Sequence, residues 1–176
     1  METRTILADA VLSTKVLLAR FLPGFDDTNH TRHAPGLPNH VAWNLGHLGL
    51  TMHRVAMKID AGPLAADAFI EGSDRGEPGT RGRFGTESVG FNSTPTADPA
   101  RYPSLARCVA IFDGACDRLA AAVRAASDDK LSANVPWGPM QIPAWMMVQR
   151  MLFHNGTHTG QIIDLRRALN MPRVLA

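Results

Sequence analysis

The stretch Phe153-His154-Asn155-Gly156-Thr157-His158-Thr159-Gly160-Gln161 puts two histidines four residues apart in a run that reads as helix. Residues i and i+4 lie one turn apart on the same face, so both imidazoles can reach one point in space. Neutral imidazole is a common ligand for divalent metals, and the pair therefore suits a metal centre. The pair alone is weak evidence. With 7 histidines in 176 residues, chance supplies a His-x-x-x-His in roughly a quarter of such sequences. No acidic residue separates His154 from His158, so the Glu base of the His-Glu-x-x-His proteases is absent.

A third ligand must come from another helix. Four helical segments are readable. The first runs from about Thr5 to Leu22, with a wide apolar stripe through Ile6, Val11, Val16 and Phe21, and Pro23-Gly24 stops it. The second opens at Pro38-Asn39 and reaches about Ile59. The third opens at Tyr102-Pro103-Ser104 and ends near Ala126, with Leu105, Val109, Phe112, Cys116, Leu119 and Val123 spaced as a buried face. The fourth runs from Pro143 to about Leu169 and stops at Asn170-Met171-Pro172. The fold class expected is all-α: a four-helix bundle with a long crossover between helices two and three, forming one domain over residues 1–176. That crossover, roughly Gly62 to Pro99, is rich in Gly and Pro and is expected to be ordered or partly ordered and to pass over one end of the bundle. Pro136-Trp137-Gly138-Pro139 reads as a loop, placing Trp137 either at the bundle mouth or in a turn as an aromatic plug.

Helix two carries His40, Asn44, His47 and Thr51 on one face, beside an apolar stripe of Leu45, Leu48 and Met52. Bundles build metal sites from side chains on facing helices. His47, His154 and His158 all sit near the middle of their helices, whereas His40 is in a first turn. Depth matching therefore selects His47 as third ligand. His53 lies about 120° away around the helix, and His30 and His33 fall on a loop. Three imidazoles leave coordination positions open, as catalytic sites do. Asn44 and Gln161 sit three residues from His47 and His158 and are the candidates for orienting a ligand; amides do not titrate, so pocket wall or ligand support suits them better than acid–base work. Gly46, Gly49, Gly156 and Gly160 interrupt the two site helices, at a cost that close helix approach would offset. Met146, Met147, Met151 and Trp145 read as core.

Composition sets the surrounding bounds. Hydrophobic residues are 45% of the chain, which argues against disorder. A net charge of +2, with no basic run, gives no reason to invoke nucleic acid or an anionic membrane. Cys108 and Cys116 fall on one helix with Cα atoms about 12 Å apart, too far for a disulfide, and read as small buried hydrophobes. The opening Met1-Glu2-Thr3-Arg4 leads into an amphipathic segment rather than a secretory signal, and no apolar run spans a bilayer, so a cytoplasmic location is expected.

The segment Asn39-His40-Val41-Ala42-Trp43-Asn44-Leu45-Gly46-His47-Leu48 resembles the second-helix signature of the DinB-like (YfiT-like) metalloprotein superfamily, and His154 to Ile162 resembles its fourth-helix signature. The resemblance covers roughly Thr5 to Pro172, and the Trp-x-x-x-His form in helix two is similar to the branch related to ergothioneine sulfoxide synthases. It implies a four-helix bundle, often homodimeric, with a divalent metal (Zn, Ni or Fe) on three histidines, which by position are His47, His154 and His158. It further implies a transferase or isomerase that uses a low-molecular-weight thiol on a small electrophilic molecule. With the sequence ending just after helix four, a complete sulfoxide synthase with its second catalytic domain is not expected. The other readings are a hydrolase using metal-activated water, a non-catalytic metal-binding bundle of the stress response, and a plain bundle with incidental histidines.

Overall fold

Helix α2 (Val41–Asp60) is the buried spine of the molecule. Sixteen of its twenty residues are buried, polar ones included, which requires neighbours on nearly every side. The computed structural model, which describes residues 2–64, 66–69 and 81–174, supplies them. Helices α4 (Leu105–Ala125) and α6 (Ala144–Ala168) pack against α2 on two sides. Helix α1 (Thr3–Ala19) packs against the same two helices from the opposite corner. These are the four long helices expected. Short helices α3 (Ala66–Phe69) and α5 (Asp128–Ser132) lie in the connections. The class is all-α.

Two of the long helices, α2 and α4, begin at a side-chain cap. Ser104 accepts the N–H of Arg107 at 3.2 Å and starts α4. His40 caps α2: its Nδ1 accepts the Trp43 N–H at 3.1 Å. With Nδ1 committed as acceptor, the His40 proton must sit on Nε2, and Nε2–H donates to the Thr96 carbonyl at 3.0 Å. One imidazole thus joins the start of α2 to the crossover. Tyr102 meets the same ring edge-on at 4.5 Å between centroids.

The described part of the crossover lies along α2. Phe84, Val89 and Tyr102 are buried in it, and the Phe69 and Phe84 rings stack at 5.7 Å. Residues 65 and 70–80 of the expected loop lie outside the described residues. Gly46 explains the close fit: a Cβ there would stand 2.8 Å from Val89 Cγ1 and 3.2 Å from Phe84 Cζ. Gly49 does the same for α4, where a Cβ would stand 2.8 Å from Ile111 Cγ2. Gly156 and Gly160 differ from the expectation, because a Cβ at either meets nothing within 4 Å. Close packing accounts for the first two glycines and not for the second two.

Two further expectations are corrected. The Pro136–Pro139 loop is a hairpin: β1 (Asn134–Trp137) pairs antiparallel with β2 (Met140–Pro143), Trp137 opposite Met140. Gly138 adopts φ +57°, which places glycine at the first position of a two-residue turn with Pro139 second. The strands are four residues each and contain Pro136, so alternation could not announce them. Half-buried Trp137 lines a depression with Arg54, Met57 and Lys58, beyond His47 along α2. Trp145, expected in the core, is 37% exposed, while Met147 and Met151 are buried. Cys108 and Cys116 are buried and not joined in a disulfide, as expected.

His53 points away from α6. It is 3% exposed, both ring nitrogens are buried without a hydrogen-bond partner, and it borders a cavity with Arg107, Arg118 and Pro63. Burial, with Arg118 nearby, pushes its pKa down to about 4, and burial pushes that of His40 down to about 3. The folded chain therefore refuses protons that the unfolded chain accepts below the ordinary histidine value of about 6.5. That contribution to stability is intact above pH 6.5 and is lost as pH falls toward these values.

Two predictions follow from this packing. Gly156→Ala and Gly160→Ala raise stability by about 0.5–1 kcal/mol, through helix propensity alone. Gly46→Ala and Gly49→Ala lower it by about 1–3 kcal/mol, through overpacking; urea unfolding followed by circular dichroism measures both signs. His53→Leu removes two unpaired polar atoms and one acid-sensitive group. Its urea midpoint at pH 7 should equal or exceed that of the parent, and the gap should widen as pH falls from 6.5 to 4.5.

Candidate metal centre

The middle of α2 faces the middle of α6, and three imidazoles meet there. The ring centroids of His47 and His154 are 5.2 Å apart, those of His47 and His158 5.0 Å, and those of His154 and His158 4.6 Å. One nitrogen from each ring lies within 4.8 Å of the other two. Among the described residues, these three form the one group of His, Cys, Asp or Glu able to hold a metal in this way. The depth argument thus brings together the residues it selected.

Each histidine has a distinct anchor. His47 donates Nδ1–H to the Val89 carbonyl at 2.9 Å, which leaves Nε2 with a free lone pair. Trp43, one turn earlier, stacks flat on the His47 ring at 4.6 Å between centroids and 8° between planes. The indole is fixed in turn: Trp43 Nε1–H donates to Ser93 Oγ at 2.8 Å, and Ser93 Oγ–H donates to the Gly90 carbonyl at 2.7 Å. His158 donates Nδ1–H to Asn44 Oδ1 at 2.7 Å and shares it with Gln161 Oε1 at 3.1 Å. Asn44 and Gln161 therefore stand behind His158, on its Nδ1 side. Backbone and amide oxygens occupy the place where a carboxylate often supports a ligating histidine. Thr51, which shares the polar face of α2, donates to the backbone carbonyl of His47 at 2.8 Å.

Electrostatics keep the cluster neutral. His47 and His158 are buried, and His154 is half-buried. Burial pushes the pKa of His154 down to about 4 and that of His158 down to about 3, and the neighbouring imidazoles add to both effects. Burial also lowers that of His47, against the opposing pull of the Val89 carbonyl. At neutral pH all three therefore present lone pairs instead of charge, the form a metal needs.

The residues fit a divalent cation. His154 Nδ1 and Asn44 Nδ2 are buried without hydrogen-bond partners, and an unpaired buried polar atom calls for an explanation. Three imidazoles suit Zn, Ni or Fe and leave positions open. Nitrogens bound at about 2.1 Å to one ion stand about 3.4 Å apart, a spacing that small side-chain rotations reach from the separations seen.

The remaining histidines stay outside. His33 and His40 stack on each other at 5.0 Å near the start of α2, and His30 donates Nε2–H to the Pro103 carbonyl at 2.9 Å. Sequence reasoning missed Val89 and Ser93, which act through a backbone carbonyl and a loop hydroxyl. No residue type announces such a carbonyl. The Trp-x-x-x-His spacing does carry a signal for Trp43, since i and i+4 side chains meet on a helix.

No curated protein matches this chain. A conserved protein of Enterococcus faecalis, known from its crystal structure, shares the fold with a TM-score of 0.71 over 97% of this chain and 98% of its own. At 12% identity that likeness concerns the fold alone. The family model of the DinB superfamily matches residues 12–162. That span contains α2, the crossover and all three site histidines, and the chain belongs to the DinB superfamily.

Proposed function

We propose that this protein is a metal-dependent enzyme in which His47, His154 and His158 hold a divalent cation and a small thiol is transferred to an electrophilic small molecule. The observation that carries the metal reading is the convergence of three neutral imidazole nitrogens within 4.8 Å of one another. Bound there, a divalent cation supplies Lewis acidity and favours the anionic form of a thiol, which is the nucleophilic one. The thiol and the transfer reaction come from the family resemblance of the two helix signatures.

The chain's own residues have separable tasks. The Val89 carbonyl holds the His47 proton on Nδ1, and Asn44 and Gln161 hold the His158 proton on Nδ1. Both leave Nε2 as the donor. Trp43 blocks rotation of His47 by stacking and gives the site an apolar wall, where charge–charge interactions are strengthened. Attack by a thiolate, which has given its proton to solvent and displaces a leaving group from the electrophile, suits this environment better than hydrolysis does. The amides touching His158 cannot act as a base, and the groups that titrate in the cluster are the ligands themselves.

Metal analysis and direct assay test the reading. Purified protein is expected to hold about one equivalent of divalent metal, from the one three-histidine cluster among the described residues. His47→Ala, His154→Ala and His158→Ala should each lower affinity by at least about a hundredfold, as loss of a direct ligand exceeds the loss of a supporting residue. The loaded protein should consume a monochlorobimane-type electrophile together with a small thiol, and the three variants should not. Unchanged metal content in all three variants contradicts the site. Metal binding without thiol consumption contradicts the transferase reading alone.

A further inference from the structure

The structure assigns a positioning role to Asn39, which we propose fixes the tautomer of His158 by orienting the Gln161 amide. The proposal rests on the metal reading above. Asn39 lies one residue before the cap of α2 and is half-buried. Its Nδ2–H donates to Gln161 Oε1 at 3.0 Å, across 122 residues of sequence. The same oxygen accepts the Nδ1–H of His158 at 3.1 Å. Asn39 and His158 therefore both donate to one acceptor, Gln161 Oε1, from opposite sides of the contact between α2 and α6.

Which end of the Gln161 amide faces His158 decides which His158 nitrogen is free. A glutamine amide offers oxygen on one side and NH2 on the other. With its oxygen turned to His158, Gln161 accepts the Nδ1 proton and leaves Nε2 bare. Rotated by 180°, it would present NH2 to Nδ1 and favour the tautomer with the proton on Nε2, where it blocks coordination. Asn39 selects the first orientation because its own NH2 faces Gln161. Asn44 Oδ1, at 2.7 Å from Nδ1, makes the same choice independently, so removal of Asn39 weakens the selection without abolishing it.

The backbone beside Asn39 is itself held. His40 accepts from Trp43 N–H and donates to the Thr96 carbonyl, which ties this turn to the crossover. The crossover thereby reaches both ligand helices: through the Val89 carbonyl to His47, and through the turn at Asn39 to His158.

Asn39→Asp separates this role from simple electrostatics and from a clip between helices. A carboxylate near a divalent cation attracts it, so Coulomb forces alone predict tighter binding. An acceptor-only side chain instead draws the Gln161 NH2 toward itself and sets a donor against His158 Nδ1–H, which predicts weaker binding. Zinc affinity, measured by competition with a chromophoric chelator, should fall about tenfold in Asn39→Asp and less in Asn39→Ala. In a Gln161→Ala background, Asn39→Asp should cause no further loss. Long-range nitrogen–proton NMR spectra of zinc-free protein should show a smaller share of His158 protonated on Nδ1 in Asn39→Asp. Equal or tighter zinc binding by Asn39→Asp overturns the proposal, as does an equal loss with Gln161 absent. If the parent protein binds no zinc, the metal reading fails, and the His158 tautomer in the spectra then decides the role of Asn39 by itself.

Discussion

A histidine can give a metal one nitrogen only if the other keeps the proton, and the rest of this structure depends on that constraint. The proton on His47 is held by a backbone carbonyl, and the proton on His158 by two amide oxygens. Each arrangement includes a partner distant in sequence. Val89 is 42 residues from His47, and Asn44 is 114 residues from His158. The site therefore exists only when the crossover lies against α2 and α2 lies against α6.

This dependence explains features that otherwise look costly. Helix α2 carries two glycines, a buried asparagine and three buried histidines counting its cap. Glycine in a helix costs roughly 1 kcal/mol relative to alanine, yet at Gly46 it admits Val89 to the distance from which its carbonyl can reach His47. The polar stripe is tolerated because nearly every donor on it finds an oxygen: Thr96 for His40, Val89 for His47, Asn44 for His158. His53 keeps both ring nitrogens unpaired on another face of α2, and two further unpaired atoms, Asn44 Nδ2 and His154 Nδ1, lie at the centre of the site. Unpaired groups there are consistent with a site whose complement is a ligand.

The four long helices and the three-histidine cluster were legible because they rest on periodicity and depth. Leu105, Val109, Phe112, Cys116, Leu119 and Val123 repeat at helical spacing, and His47, His154 and His158 sit at matching depth. The hairpin at Gly138 escaped because strands of four residues with an internal proline carry no readable alternation. Gly156 and Gly160 look like Gly46 and Gly49 in sequence, but only a neighbour's position tells a crowded glycine from an open one. Val89 was illegible because its contribution is a carbonyl that every residue possesses. Asn44 and Gln161 were found by spacing, yet their place behind His158 needed the facing helix to be seen.

The central claim is that His47, His154 and His158 converge on one divalent cation. Anomalous X-ray scattering from crystals grown with zinc tests it most directly, at energies above and below the zinc edge. One strong peak within bonding distance, about 2.1 Å, of a nitrogen from each of the three rings is the result expected. A peak held by other residues, or none between α2 and α6 in protein that is otherwise folded, would contradict it.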